Sequence, residues 1–241
     1  MSSSPTALEE FLAYAAEERR ILGVVLTGSR GRGALVHEQS DWDVRVLVGD
    51  EEREFASSLD TPHGSPIEVT AMSVSDFASG PDWDRYSYAR TRVLLDKLGG
   101  EVQRLVDRRG RLAEDEVSER VRAALDAYLN SLHRSLKSAR LGLDLESRLD
   151  ACESVGWLLE TVFALEARVR PFNKYLRWEL ETHPLADWSA ESLLTTIEAV
   201  LGGDAGAQQR LFGQVEERVR RKGFGDVVDA WAPDVRAFRG E

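Results

Sequence analysis

Apolar and polar positions change rhythm along this chain. Up to about residue 100, short apolar runs alternate with turn-rich stretches; beyond it the apolar residues recur at steps of three and four, the helical period. In the first part, residues 6–20 place Leu8, Phe11, Leu12, Tyr14 and Ala15 on one broad face and predict an amphipathic helix. Residues 21–27 form a β-branched run of strand length that stops at Gly28-Ser29. A loop punctuated by Gly31 and Gly33 follows. Residues 41–48 alternate strictly, with Trp42, Val44, Val46 and Val48 on one face and Asp41, Asp43, Arg45 and Leu47 on the other. Residues 51–61 read as helix then loop. Residues 66–72 are a third strand, with Ile67, Val69 and Ala71 opposite Glu68 and Thr70, and residues 93–95 a short fourth.

The second part reads as helices. Residues 116–140 carry Val117, Val121, Leu125, Tyr128, Leu132, Leu136 and Ala139 on one stripe, with Gly142 as a stop. Residues 146–169 form a second long helix, with Leu149, Cys152, Val155, Leu158, Leu159, Val162 and Leu165 inside and Pro171 ending it. Shorter helices are expected over 173–181, 190–201 and 205–222. The fold class expected is α+β: a small mixed β-sheet domain over residues 1–100, then an all-α helical bundle domain over 101–241.

Composition narrows the function. With 42% apolar and 30% charged residues the chain is an ordinary globular one. No apolar run is long enough to span a membrane, and residues 1–10 lack a leader pattern, so a cytoplasmic protein is expected. Cys152 is the only cysteine, which excludes an internal disulfide and argues against a thiolate metal site; it is expected to be a buried small apolar residue. His37, His63, His133 and His183 match no metal-ligand spacing. A net charge of −11 disfavours nonspecific nucleic-acid binding and favours a cationic small molecule. No segment sustains coiled-coil heptads, so the oligomeric state is open and a dimer would use a bundle face.

The candidate chemistry lies in the first part. Asp41 and Asp43, at i and i+2 on a strand, project from one face, so their carboxylates converge. Like charges that close repel unless a cation lies between them, and hard oxygen ligands suit Mg²⁺. The alternative is a pair of aspartates facing water, although aspartate is depleted in strands. Glu68, on a neighbouring strand, completes a triad. Gly28 lets a backbone approach a phosphate closely, and the Ser29 hydroxyl offers a further donor; a simple turn is the other reading.

Leu26-Thr27-Gly28-Ser29, eleven intervening residues and Asp41-Trp42-Asp43-Val44 resemble the signature of the DNA polymerase β type nucleotidyltransferase superfamily. Ile67-Glu68-Val69-Thr70 matches the strand bearing that family's third carboxylate. The resemblance covers residues 21–72 and implies that residues 1–100 are a nucleotidyltransferase catalytic domain. It also implies a transfer of a nucleoside monophosphate from an NTP, by family default ATP, with two Mg²⁺ ions on Asp41 and Asp43. Gly28, Ser29 and Arg30 would cradle the phosphates. Glu68 would ligate a metal or take the acceptor's proton, and the aminoglycoside (streptomycin/spectinomycin) adenylyltransferases favour the general-base role. The helical part resembles those of such small-molecule nucleotidyltransferases, and the Arg170–Leu176 segment fits related bacterial proteins. Arg45 departs from the pattern, standing where an apolar residue is expected.

In the helical part, Lys174 and then Lys137 are the lysines nominated for the triphosphate, ahead of Arg134 and Arg140, and Glu153 is nominated for a cationic acceptor; each is otherwise a solvated charge. Trp83, Tyr86 and Tyr88 are candidates to stack on a base or sugar, or else core residues. The expected function is adenylyl transfer to a hydroxyl of a small acceptor such as an aminoglycoside. The alternatives are a regulatory, antitoxin-like nucleotide binder and an enzyme that nucleotidylates a macromolecule.

Overall fold

The computed structural model describes residues 7–241; Thr6, the first residue of the first predicted helix, lies outside them. The chain forms two compact units, one ending at Arg111 and the other spanning Leu112–Glu241.

The first unit is built from α1 (Ala7–Glu17), β1 (Ile21–Leu26), α2 (Gly28–Arg32), β2 (Trp42–Val48), α3 (Arg53–Leu59), β3 (Ile67–Ser73), α4 (Val74–Ala78), a 3₁₀ turn (Asp82–Tyr88), β4 (Arg92–Asp96) and α5 (Glu101–Arg109). The four strands lie in the order β3-β2-β1-β4. β1 is antiparallel to both neighbours, whereas β2 and β3 are parallel. A parallel pair needs a crossover, and α3 supplies it. The sheet is therefore mixed and the fold α+β, as the sequence predicts.

The two faces of the sheet differ. On one, Val24, Leu26, Val44, Val46, Val48 and Val69 pack on Leu8 and Ala15 of α1 and Ala56 of α3. On the other, Val25 and Leu47 pack on Phe77, Tyr88 and the Val102, Leu105 and Val106 of α5. Because β1 is covered on both sides, its sequence is a continuous apolar run rather than an alternating one. Along β2 the second face runs from Asp43 and half-buried Arg45 to buried Leu47, so it is polar at one end and sealed at the other.

Periodicity does not single out helix α5, whose apolar stripe of Val102, Leu105 and Val106 sits in a highly charged segment. It packs so closely on β1 that a Cβ on Gly23 would stand 2.6 Å from Val102 Cγ2. A domain boundary at residue 100 would cut it from the sheet. Two buried arginines lock this corner. Arg85 Nε donates to the Arg109 carbonyl at 3.1 Å, and its Nη2 to those of Arg108 and Arg111, which caps the C-terminal end of α5. Arg109 in turn donates to the carbonyls of Gly80 (2.6 Å) and Pro81 (2.8 Å).

The second unit contains α6 (Glu114–Arg140), α7 (Asp144–Ala164), a 3₁₀ turn (Asn173–Tyr175), α8 (Leu176–Thr182), α9 (Ala190–Leu201), α10 (Ala205–Arg221), α11 (Gly225–Asp229) and α12 (Val235–Arg239). Its core joins Leu129, Leu132, Leu158, Phe163, Phe212 and Phe238. Ser189 and Asp204 cap α9 and α10 by accepting from the amides of Ser192 and Ala207. The last two helices, of five residues each, are too short for periodicity to reveal.

Helix α7 departs from expectation twice. It ends at Ala164, not at residue 169, and Pro171 is not its stop. The chain turns instead through Ala167 at φ 55°, with the Arg168 amide returning to the Phe163 carbonyl at 3.0 Å. Its inner face is also rotated. Leu149 is 59% exposed, Cys152 is exposed rather than buried, and Leu165 is half-buried. The expected Val155, Leu158, Leu159 and Val162 are buried, joined by Ser147, Ala151, Ser154, Thr161, Phe163 and Ala164. The reason is a close crossing with α6: Ser135 Oγ donates to the Ser147 carbonyl (2.8 Å) and Ser147 Oγ to the Ser135 carbonyl (3.0 Å). Larger side chains would hold the helices apart. Among the described residues, no helix is long and apolar enough to cross a membrane.

Ser135 is fully buried at that crossing. Ser135→Leu is expected to cost about 1–3 kcal/mol through overpacking, whereas Leu149→Ser on the exposed face should stay within about 0.5 kcal/mol. Urea unfolding of both variants checks the rotation of α7.

Candidate active site

The site is assembled where β1 ends beside the start of β2. The Thr27 amide donates to the Asp43 carbonyl at 2.8 Å, extending the β1–β2 pairing by one step, and Thr27 Oγ1 reaches the same carbonyl at 3.2 Å. The chain then turns through Gly28 at φ 63° into α2. A Cβ on Gly28 would lie 1.7 Å from Asp43 Oδ2. Glycine is thus required for two reasons: the left-handed backbone, and the space that the Asp43 carboxylate fills.

Asp41 immediately precedes β2, Asp43 is its second residue, and Glu68 lies directly opposite Asp43 in the parallel register with β3. Oxygens of the three carboxylates all lie within 4.8 Å of one another, and all three residues are half-buried. The structure therefore brings together the triad expected from sequence. Burial pushes the Asp43 carboxyl above its usual range; the Asp41 charge adds to this, the Arg45 guanidinium opposes it, and Glu68 adds a smaller upward push. Such a cluster is costly when left to itself. A divalent cation would relieve it, and a donor set made only of carboxylate oxygens fits a hard ion such as Mg²⁺.

Neighbouring cations temper the cluster without replacing an ion. Arg45 Nη1 donates to Thr70 Oγ1 at 2.8 Å, its register partner on β3, and its charge reaches Asp43 through space. Arg32 donates to the carbonyls of Gly28 (3.0 Å) and Tyr86, and its guanidinium lies 4.6 Å from the Tyr86 ring centroid. Arg32 escaped the sequence reading because nothing in its residue type shows that it turns back beneath Gly28.

Glu68 is held from its own side of the sheet. Its Oε1 accepts from the Gly64 amide at 2.5 Å and from His63 Nδ1 at 2.8 Å. The Gly64 amide first, and His63 after it, keep the carboxyl below its usual range. That environment favours the ionised carboxylate, the form that a cation ligand and a proton acceptor both require. His63 was also missed: its segment, Pro62-His63-Gly64-Ser65-Pro66, reads only as a loop.

The remaining candidates are placed as follows. Arg30 Nε donates to the Ser40 carbonyl at 2.8 Å and its guanidinium stacks 4.3 Å from the Trp42 ring centroid. Trp42 packs with the apolar face of the sheet, so Arg30 braces the loop that carries Asp41. Ser29 is buried in α2. Tyr86 and Tyr88 are core residues, while Trp83 is 75% exposed. Lys137, Lys174 and Glu153 belong to the second unit. Both lysines are exposed, and Lys174 Nζ lies 5.4 Å from the Tyr175 ring centroid. Glu153 pairs with Arg134, which it shares with Asp150 at 3.1 Å.

No family model and no curated protein matches the chain. Among solved structures, it is similar to a nucleotidyltransferase-like protein from Exiguobacterium sibiricum 255-15, with 11% identity, a TM-score of 0.40, and coverage of 95% of this chain and 89% of that one. It is the carboxylates, and not that likeness, that carry the functional reading.

The raised Asp43 carboxyl has a consequence for stability. The folded chain holds that proton to a higher pH than the unfolded chain does, so ionisation above this range costs stability. Asp43→Asn is expected to raise the Tm of the metal-free protein at neutral pH. The advantage should fade as pH falls towards about 3.9, the ordinary aspartate value. Mg²⁺ should raise the Tm of the wild type and leave the variant unmoved. A variant less stable than the wild type at neutral pH, without metal, would contradict the crowding. Gly28→Ala should cost more than about 1 kcal/mol in urea unfolding, from the strained φ and the clash with Asp43.

Proposed function

We propose that this chain is a nucleotidyltransferase that moves a nucleoside monophosphate, AMP when ATP is the donor, onto a hydroxyl of a small acceptor. The observation that carries this reading is the three-carboxylate cluster beside the Gly28-Ser29 turn. The motif resemblance over residues 21–72 supports it. Asp41, Asp43 and Glu68 would hold one or two Mg²⁺ ions. Bound ions of this kind neutralise the triphosphate and stabilise the entering and leaving oxygens.

The chain's own residues have distinct tasks in this scheme. Asp41 and Asp43 present their oxygens from one face of β2, and Glu68 adds its own from β3. Gly28 and Ser29 would meet the β- and γ-phosphates, and the absence of a side chain at Gly28 lets the Asp43 carboxylate lie against this turn. Arg30 acts indirectly, by fixing the Ser40–Asp41 segment through its bond to the Ser40 carbonyl. Positioning and charge neutralisation account for most of catalysis in such a reaction. The net charge of −11 favours a cationic acceptor, with an aminoglycoside-like aminosugar as the class to try first.

Pyrophosphate release from ATP and Mg²⁺, measured across a panel of cationic aminosugars, tests the proposal. At least one acceptor should support turnover, and Asp41→Asn and Asp43→Asn should each reduce it to background. Turnover that survives both substitutions would refute the assignment. Metal-dependent ATP binding with no release for any acceptor would favour the regulatory binder instead.

A further inference from the structure

Glu68 stands on β3, an edge strand of the sheet, and the segment in front of that strand folds back along it. Thr61 pairs with Val69: its amide donates to the Val69 carbonyl at 3.1 Å, and its Oγ1 accepts from the Val69 amide at 2.8 Å. Thr61 Oγ1 also donates to the Ile67 carbonyl at 2.9 Å. Asp60 Oδ1 takes the Ala71 amide at 2.8 Å. Beyond Thr61 the chain closes a tight turn, in which the Ser65 amide and hydroxyl both return to the Pro62 carbonyl, at 3.2 and 2.7 Å. Gly64 takes φ 85° within it. The turn ends with the Pro66 carbonyl accepting from the Trp42 amide at 3.2 Å, next to Asp41 and Asp43. It is therefore tied to both strands that bear the carboxylates.

This turn delivers two donors to a single atom. The Gly64 amide and His63 Nδ1 both meet Glu68 Oε1, at 2.5 and 2.8 Å. An oxygen accepting two hydrogen bonds has little capacity left for a cation, which leaves Oε2 as the ligand atom. We propose that His63 is a positioning residue: with the Gly64 amide it takes up Glu68 Oε1, turns Oε2 towards Asp41 and Asp43, and so makes Glu68 a one-oxygen cation ligand. This rests on reading the carboxylates as cation ligands. Groups that orient a ligand from behind commonly govern metal affinity as the ligand itself does.

His63 is well suited to a test because its side chain is 95% exposed. Its removal leaves no cavity, and an exposed pair of this kind contributes little to folding. The experiment is Mn²⁺ binding to the full-length protein, by calorimetry and by the electron paramagnetic resonance of the bound ion, with Tm measured alongside. His63→Ala should weaken Mn²⁺ binding by about tenfold at unchanged Tm, and Glu68→Gln should weaken it at least as much. His63→Asn, whose side-chain amide can donate to Oε1, should recover most of the affinity and the wild-type spectrum. If His63→Ala binds Mn²⁺ like the wild type while Glu68→Gln does not, His63 does not position Glu68. If Glu68→Gln binds normally while Asp43→Asn does not, Glu68 is no ligand and the inference falls, with the aspartate site intact. If Asp43→Asn also binds normally, the cation site of the proposed function falls with it.

Discussion

Three half-buried carboxylates held within 4.8 Å of one another dominate the first unit. Their proximity is imposed by backbone pairing, since the parallel register of β2 and β3 sets Glu68 opposite Asp43 and strand alternation puts Asp41 on the same side. The surroundings read as responses to that crowding. Gly28 gives up a side chain to admit Asp43. Arg45 and Arg32 lend positive charge from two directions, and the His63–Gly64 turn absorbs one oxygen of Glu68. An apolar residue in place of Arg45 would leave the cluster more dependent on a bound ion.

The rest of that unit makes the crowding sustainable. One face of the sheet is apolar throughout and anchors it on α1 and α3. The other is polar only where the carboxylates lie, and is closed beyond Leu47 by Phe77, Tyr88 and α5. Arg85 and Arg109 fasten that closure by donating to backbone carbonyls, and Arg85 also lies 3.7 Å from the Asp82 carboxylate. The helical unit solves a different problem, packing α6 on α7 through reciprocal serine bonds and small side chains.

Legibility in the sequence followed the range of the interactions. The alternation of β2 and the carboxylate positions on β2 and β3 could be read directly, because strand period and residue type are local properties. So could the lengths of α6, α9 and α10. Residue type misled where a neighbour decided the outcome. Leu149 and Cys152 look like core residues, yet the serine crossing turns them outward. Pro171 looks like a helix stop, yet a left-handed Ala167 ends the helix earlier. The role of His63 depends on Gly64 adopting a positive φ and on Thr61 pairing along β3, and neither has a signature in the spacing. The direction of Arg30, towards Trp42, likewise depends on where a ring comes to rest.

The pairing of Asp60 and Thr61 with β3 has a further consequence. An edge strand usually offers a row of unpaired amides to any other extended chain. Here the amides of Ala71 and Val69 are already taken by an aspartate and a threonine side chain, and two prolines bracket the turn that follows. A second chain cannot join the sheet at this margin unless the turn first peels away, and peeling would withdraw the donors from Glu68. Protection against intermolecular strand addition and the alignment of Glu68 therefore depend on the same few residues, so a lesion in this turn would be felt as self-association as well as a misaligned carboxylate.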